Sequence, residues 1–227
     1  LTVSVPAGAT DTNSANNTSA VAGSILGLAD LTSSVDLPVN AAAGSVVTVT
    51  ATFTNSATGA TATTATSATG TVVLSDGTTQ TFALGDLAPG ASATRSFTAT
   101  VPSSTATTLL SATSTVATST PESNTANNVG TDTLVVLFAD PAVDVGVIPS
   151  GVPGATVTTT LSLTNNGSAT TSITVTVSIN GSLTTVVATL APGATQTLTL
   201  TVPVTATGAT VSASITASSA PDSNLGN

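Results

Sequence analysis

One short motif occurs three times in this chain of 227 residues: Asp11-Thr-Asn-Ser-Ala-Asn-Asn17, Glu122-Ser-Asn-Thr-Ala-Asn-Asn128 and Asp222-Ser-Asn-Leu-Gly-Asn227. The spacings, 122 − 11 = 111 and 222 − 122 = 100 residues, match the length of one small β domain, so the chain reads as a tandem repeat. Further anchors recur in the same order. Ala29-Asp30 matches Ala139-Asp140, and 44–55 matches 154–165, both at an offset of 110. The turn dipeptides Asp76-Gly77 and Asn180-Gly181 match at 104, Leu87 to Ala91 matches Leu190 to Ala194 at 103, and Val101-Pro102 matches Val202-Pro203 at 101. Composition alone does not produce ordered agreement of this kind; duplication does.

Between these anchors Thr and Ser alternate with Val, Ile, Leu and Ala, the period-2 pattern of strands with one buried face. Val47, Val49, Ala51 and Phe53 share one face of a strand, and Val157, Thr159, Leu161 and Leu163 take the same places in the second copy. Both turn dipeptides predict two-residue hairpins of type I′, which need positive φ at both central positions. No segment has a 3.6-residue period. The expected fold is all-β: two tandem immunoglobulin-like sandwiches, with an extra N-terminal strand segment and an incomplete C-terminal repeat. The expected divisions are 1–28 for the N-terminal segment (the end of a preceding repeat, or a donor strand), 29–138 for the first sandwich and 139–227 for the second. Within 1–28, Leu1 to Val5 corresponds to a penultimate strand and Ser19 to Leu28 to a final one, Ala20 matching Gly130. The second repeat reaches Asn227 with no final strand. The chain is therefore expected to start inside one repeat and stop inside another, as a processed product or an excerpt, leaving a groove and unpaired strand edges that favour association.

Charge excludes several partners. Arg95 is the single basic residue against ten acidic ones, a net charge of −9, which repels nucleic acid and anionic membrane surfaces. No apolar run has the roughly 20 residues of a membrane-spanning helix. Cys, His, Tyr and Lys are all absent, which removes disulfides, thiol nucleophiles and most general acids and bases. The carboxylates are scattered over turns and junctions. No enzyme activity, catalytic residue or cofactor is expected.

Asp30, Asp36, Glu122, Asp140 and Asp144 offer hard oxygen ligands for calcium near the repeat junctions. None sits in a dense, spaced array of the EF-hand kind, and Asx-turns account for them more simply, so no metal site is expected. Asn16, Asn17, Asn166 and Asn180 begin Asn-x-Ser/Thr sequons and are the candidate glycosylation sites. The aromatics are Phe53, Phe82, Phe97 and Phe138, expected in core packing, since a sugar-stacking face of Trp or Tyr is missing.

The Ala-Asp openings (Ala29-Asp30, Ala139-Asp140), the strands ending in Thr-Asn (Thr54-Asn55, Thr164-Asn165), the Leu-x-Pro-Gly turns (Leu87 to Gly90, Leu190 to Gly193) and the Asp/Glu-x-Asn-x-x-Asn endings together resemble the immunoglobulin-like repeats of prokaryotic surface proteins. In particular they resemble the group named after cell-adhesion-related domains found in bacteria (CARDB-like). The resemblance covers nearly the whole chain. It implies an extracellular stalk, adhesin or fibre module at the cell surface, and it brings no catalytic residues. The expected function is a structural subunit of an extracellular filament or surface array, a homopolymer joined head to tail by β-strand addition, with Val21, Ile25 and Leu28 as the assembly contacts. The alternative is a stalk segment of a larger bacterial or archaeal surface adhesin.

Overall fold

The computed structural model describes residues 4, 6–23 and 25–222. Apart from Ser4, the expected strand from Leu1 to Val5 lies outside the described residues, as does the third acidic-Asn motif beyond Asp222.

Apart from a single 3-10 turn over Ser14–Asn16, the regular structure among the described residues is all strand. The strands are β1 (Leu31–Asp36), β2 (Asn40–Ala42), β3 (Val46–Asn55), β4 (Ala65–Leu74), β5 (Thr79–Leu87), β6 (Ser92–Thr100), β7 (Thr108–Ala117), β8 (Val129–Leu137), β9 (Pro141–Val145), β10 (Thr156–Asn165), β11 (Thr171–Ile179), β12 (Ser182–Leu190), β13 (Thr195–Pro203) and β14 (Val211–Ser218). They form immunoglobulin-like sandwiches. In the first, sheet β1-β3-β6 faces sheet β2-β8-β7-β4-β5; in the second, β13-β10-β9 faces β12-β11-β14. Among the described strands every ladder is antiparallel except β2 with β8.

The Thr-rich alternation works as the period predicts. Along β3, Val47, Val49, Ala51 and Phe53 are buried, while Thr50, Thr52 and Thr54 on the other face bond across to Ser96, Thr94 and Ser92. Leu161 and Leu163 are fully buried in the matching strand β10. Side chains that alternate in this way fix the register, because a one-residue slip would turn every apolar group to water.

The Thr-Asn strand endings have a physical role. Asn55 and Asn165 are the last residues of β3 and β10, and both are 0% exposed. Asn55 Nδ2 donates to the carbonyls of Thr63 (2.9 Å) and Leu87 (2.8 Å), and its Oδ1 accepts from the Asp30 N–H (3.2 Å). Asn165 repeats this with Ala169 (2.8 Å), Leu190 (3.1 Å) and Asp140 (3.2 Å). Each asparagine thus satisfies loop groups that burial would otherwise leave unpaired. The Ala-Asp opening and the Thr-Asn ending are two ends of one bond.

Two expectations are corrected. Asn180 (φ 51°) and Gly181 (φ 86°) do form the two-residue turn of the second hairpin. In the first hairpin only Gly77 has positive φ, and Leu74 pairs with Thr78 around a three-residue loop, with Asp76 Oδ1 accepting the Thr78 N–H at 2.8 Å. The extra residue makes this a turn closed by a left-handed glycine. The second correction concerns Val101. Val101 O accepts the Gly44 N–H, and Val204 O accepts the Gly154 N–H, so Val204, not Val202, is its equivalent.

Candidate functional site

The acidic-Asn motif of the first sandwich is a clasp. Glu122 Oε2 accepts the Leu31 N–H at 2.9 Å, and its Oε1 accepts Asn128 Nδ2 at 3.0 Å. Asn127 Nδ2 donates to Asp30 Oδ1 at 2.9 Å, and the Ser33 N–H donates to the Asn127 carbonyl. The turn between β7 and β8 is thereby tied to the start of β1 across the sandwich. Of the calcium candidates, Asp30 and Glu122 accept bonds from the chain's own donors, Asp36 and Asp144 are exposed on β1 and β9, and Asp140 stands at the start of the second sandwich. Among the described residues no group of three or more His, Cys, Asp or Glu could hold a metal.

The N-terminal copy of the motif forms a 3-10 turn over Ser14–Asn16 and shares one backbone bond with the second copy. The Asn17 N–H donates to the Ser14 carbonyl, just as the Asn128 N–H donates to the Thr125 carbonyl, at the 111 offset. In the first sandwich that turn leads into β8, which covers the edge of β7 with Leu134 and Val136 buried. Approach here is close: a Cβ on Gly130 would lie 2.5 Å from the Ser33 carbonyl oxygen and 2.7 Å from Ser34 Cα. Behind it Ser33 Oγ donates to the buried Ser114 Oγ at 2.7 Å. Asp132 Oδ2 takes the Leu37 N–H at 2.7 Å, and β2 pairs along the far edge of β8.

The second sandwich has no such strand among the described residues. Strand β14 pairs with β11 alone and is an edge of its sheet. Leu74 pairs with Ala112 before the first hairpin and Ile179 with Val211 before the second, so Ala112, Ser114 and Val116 correspond to Val211, Ala213 and Ile215. The first three are buried; the second three are only half-buried. A groove of about 410 Å³ runs along β14, lined by Val143 of β9, by Ala213, Ile215 and Ala217, and by Asp222 at one end. Beyond it 150–152, the counterpart of β2, forms no strand. Val147, at the place of Leu37, is 91% exposed where Leu37 is 5% exposed.

The expected assembly residues divide. Val21 (95% exposed) and Ile25 (82%) are in solvent and belong to no strand. Leu28 is half-buried against the first sandwich, its N–H donating to the Thr61 carbonyl (2.9 Å) and its carbonyl accepting the Thr63 N–H (3.1 Å). Phe138 docks on the second sandwich in the same manner, its carbonyl accepting the Ala169 N–H at 2.7 Å. Leu28 therefore belongs to its own sandwich, where it stands in for Phe138. Phe53 is fully buried, and Phe82 and Phe97 pack with ring centroids 6.3 Å apart. Of the sequon residues, Asn16 and Asn166 are exposed and Asn17 is half-buried. Asn180 uses its side chain on the Pro203 carbonyl (2.7 Å) and the Thr210 N–H (2.9 Å). Sequence reasoning marked Asn55, Asn165 and Gly130 only as repeat anchors, without their packing roles, and did not single out Val147, for which the 110 offset from Leu37 was the signal available.

Comparison with known proteins agrees with this architecture. The sequence model described as CARDB matches residues 28–132. No curated protein matches the chain. Among solved structures, the CARDB domain of a Pyrococcus furiosus protein in solution is 18% identical, covering 49% of this chain and 97% of that one with a TM-score of 0.42. A crystal structure of the Pyrococcus furiosus domain in complex with di-metal ions is 18% identical, covering 51% and 94% with a TM-score of 0.40. A 1.5-MDa bacterial ice-binding adhesin, studied for cell-surface retention, is 18% identical over 84% of this chain and 65% of that one, with a TM-score of 0.37. No helix among the described residues is long and apolar enough to cross a membrane. The first sandwich of this chain is thus similar in sequence to CARDB domains over residues 28–132.

Proposed function

We propose that this chain is a non-enzymatic structural subunit of an extracellular filament or surface array, whose sandwiches stack head to tail and are joined by β-strand addition. One observation carries the reading: the half-buried edge of β14, at the place that β8 covers in the first sandwich. An uncovered edge offers a row of backbone donors and acceptors to another polypeptide. Here it also offers the side chains of Val143, Val211 and Ile215, each worth about 1.5–3 kcal/mol when fully buried. The fit is mechanical: ladder bonds and apolar packing carry load along a continuous stack. The CARDB match of the first sandwich supports a surface location.

The second reading is a stalk segment of a larger surface adhesin, favoured by the tandem repeat itself, in which the covering strand comes from the same polypeptide. Negative-stain imaging of the native protein separates them. Long uniform filaments are expected for the array. Isolated rods at every concentration would overturn it in favour of the stalk.

A further inference from the structure

We infer that β12 is a docking edge for β12 of a second copy of this chain, the two strands pairing antiparallel about a two-fold axis at Val186 so that two second sandwiches share one continuous sheet. The contact is lateral and goes beyond the array reading: it stands whether or not copies also stack head to tail. β12 is the outermost strand of sheet β12-β11-β14, and among the described residues no strand pairs with its far side. The Asn180 N–H donates to the Thr210 carbonyl and the Ser172 carbonyl accepts the Ser219 N–H, so the even-numbered residues of β11 face β14 and the odd-numbered ones face β12. Ile179 pairs with Ser182 and Thr171 with Leu190, which leaves the backbone groups of Leu183, Thr185, Val187 and Thr189 directed at the open edge.

Edge strands of soluble proteins carry devices against such pairing, and the first sandwich has them. β5, the counterpart of β12, has two register shifts against β4, a left-handed Gly85 (φ 76°) and the charged Asp86. β6 places Arg95 at an inward-facing position, opposite the buried Ala51. β12 has none of these. Its nine pairs with β11 run without a shift, it holds no Gly or Pro, and no charged residue occurs between Asp144 and Asp222. It also exposes Leu183 (73%) and Val187 (68%) on its outer face. β13, the edge of the facing sheet, shows only Thr195, Thr197, Thr199 and Thr201 on its outer face and ends in Pro203. A chain of net charge −9 repels its own copies, and an uncharged edge is where that repulsion is weakest.

The strand selects a second copy as its occupant because it is self-complementary. With Val186 on the axis, Ser182–Leu190 overlaps its mate in full, and every outward-directed residue meets another: Leu183 faces Thr189 and Thr185 faces Val187, all in hydrogen-bonded pairs. Val187 of one copy lies diagonal to Leu183 of the other, within reach of side-chain contact, so the exposed apolar groups of both copies form one cluster. On the inner face, half-buried Val186, which packs against the core of the second sandwich, meets its own mate in a non-hydrogen-bonded pair. Moving the axis to Thr185 leaves Thr189 without a partner and sets Thr184 against Val186, so the full overlap governs.

Single cysteines in the full chain test this, since the native sequence has none. In this register Val186 faces itself at about 4.5 Å between Cα atoms, inside disulfide range, whereas Thr185 lies about 7–8 Å from its mate, outside it. Under oxidising conditions V186C should run as one covalent dimer that reverts to monomer on reduction, and T185C should stay monomeric. The one cysteine is consumed at the axis, so even a head-to-tail filament yields a dimer band and no ladder. Val187→Lys or Thr185→Lys in the V186C chain, both at exposed positions, should abolish the dimer band and leave the far-UV circular dichroism unchanged. A dimer from T185C in place of V186C would overturn the register and the inference with it. Equal dimer from both, or a V186C dimer that survives both lysine substitutions, would mark collision cross-linking and overturn it too, as would monomer from V186C. Filaments in negative stain bear on the head-to-tail reading and leave this result untouched.

Discussion

The two sandwiches share the order of their common strands and the buried asparagine pin, yet among the described residues one is closed and the other open. In the first, Ala112, Ser114 and Val116 are sealed by β8; in the second, Val211, Ala213 and Ile215 stay half-exposed and Val147 stands in solvent where Leu37 is buried. The difference lies in one strand. It teaches that in a repeat of this kind the last strand supplies one wall of the core, together with the anchor for the β2 edge, so two places stand open at once where no such strand lies among the described residues.

The sharpest way to break the comparison is in the closed core. Phe53→Ala should cost about 3–5 kcal/mol and Leu163→Ala about 2–5 kcal/mol, read as shifts in denaturant midpoint. A cost below about 1 kcal/mol at Phe53 would mean that the strand register is wrong. Next comes a pair of equivalent positions with opposite packing. A Cβ on Gly70 would lie 2.4 Å from Phe53 Cζ, so Gly70→Ala should destabilise the first sandwich by about 1–3 kcal/mol through overpacking. Val175, its equivalent by the hairpin alignment, is fully buried, and Val175→Ala should destabilise the second sandwich by leaving a cavity. Stabilisation by Gly70→Ala in thermal melts would contradict the packing of Phe53 on that strand.

The clasp is the third point of attack. Glu122→Ala removes the acceptor of the Leu31 N–H and should cost about 1–3 kcal/mol; unchanged unfolding would make the clasp ornamental. Hydrogen exchange then measures the open edge directly. The amides of Val211, Ala213 and Ile215 point away from β11, so they should exchange rapidly in the dissociated chain and slow down on assembly, while those of Ala112, Ser114 and Val116 stay protected throughout. Equal protection in both sandwiches before assembly would show that the edge is already covered. The smallest effect is expected from calcium. A chelator should move the melting temperature by less than about 5 °C, the shift that roughly 1 kcal/mol produces in a unit of this size.

Much of the fold was legible in the sequence because alternation and turn chemistry are local. Thr50, Thr52 and Thr54 face out and Val49, Ala51 and Phe53 face in for reasons of period alone. The Asn180-Gly181 turn follows from the φ preferences of its two residues. The clasp was visible only as spacing: the acidic-Asn motif marked the repeat, but its bonds from Glu122 to Leu31 and from Asn127 to Asp30 join residues 91 and 97 positions apart. The Val101 equivalence misled because a Val-Pro dipeptide recurs two residues out of step with the ladder that places Val204.

Sequence by itself determined the duplication, the all-β class and the buried face of each strand, since each depends on residue type and short-range order. Tertiary structure decided which strand lies at which edge, that Leu28 binds its own sandwich while Val21 and Ile25 are exposed, and that no described strand covers Val147 and β14. Those facts depend on pairing between distant segments, and pairing is settled by whichever strand reaches an open ladder, a property of the assembled sheets that no local pattern encodes.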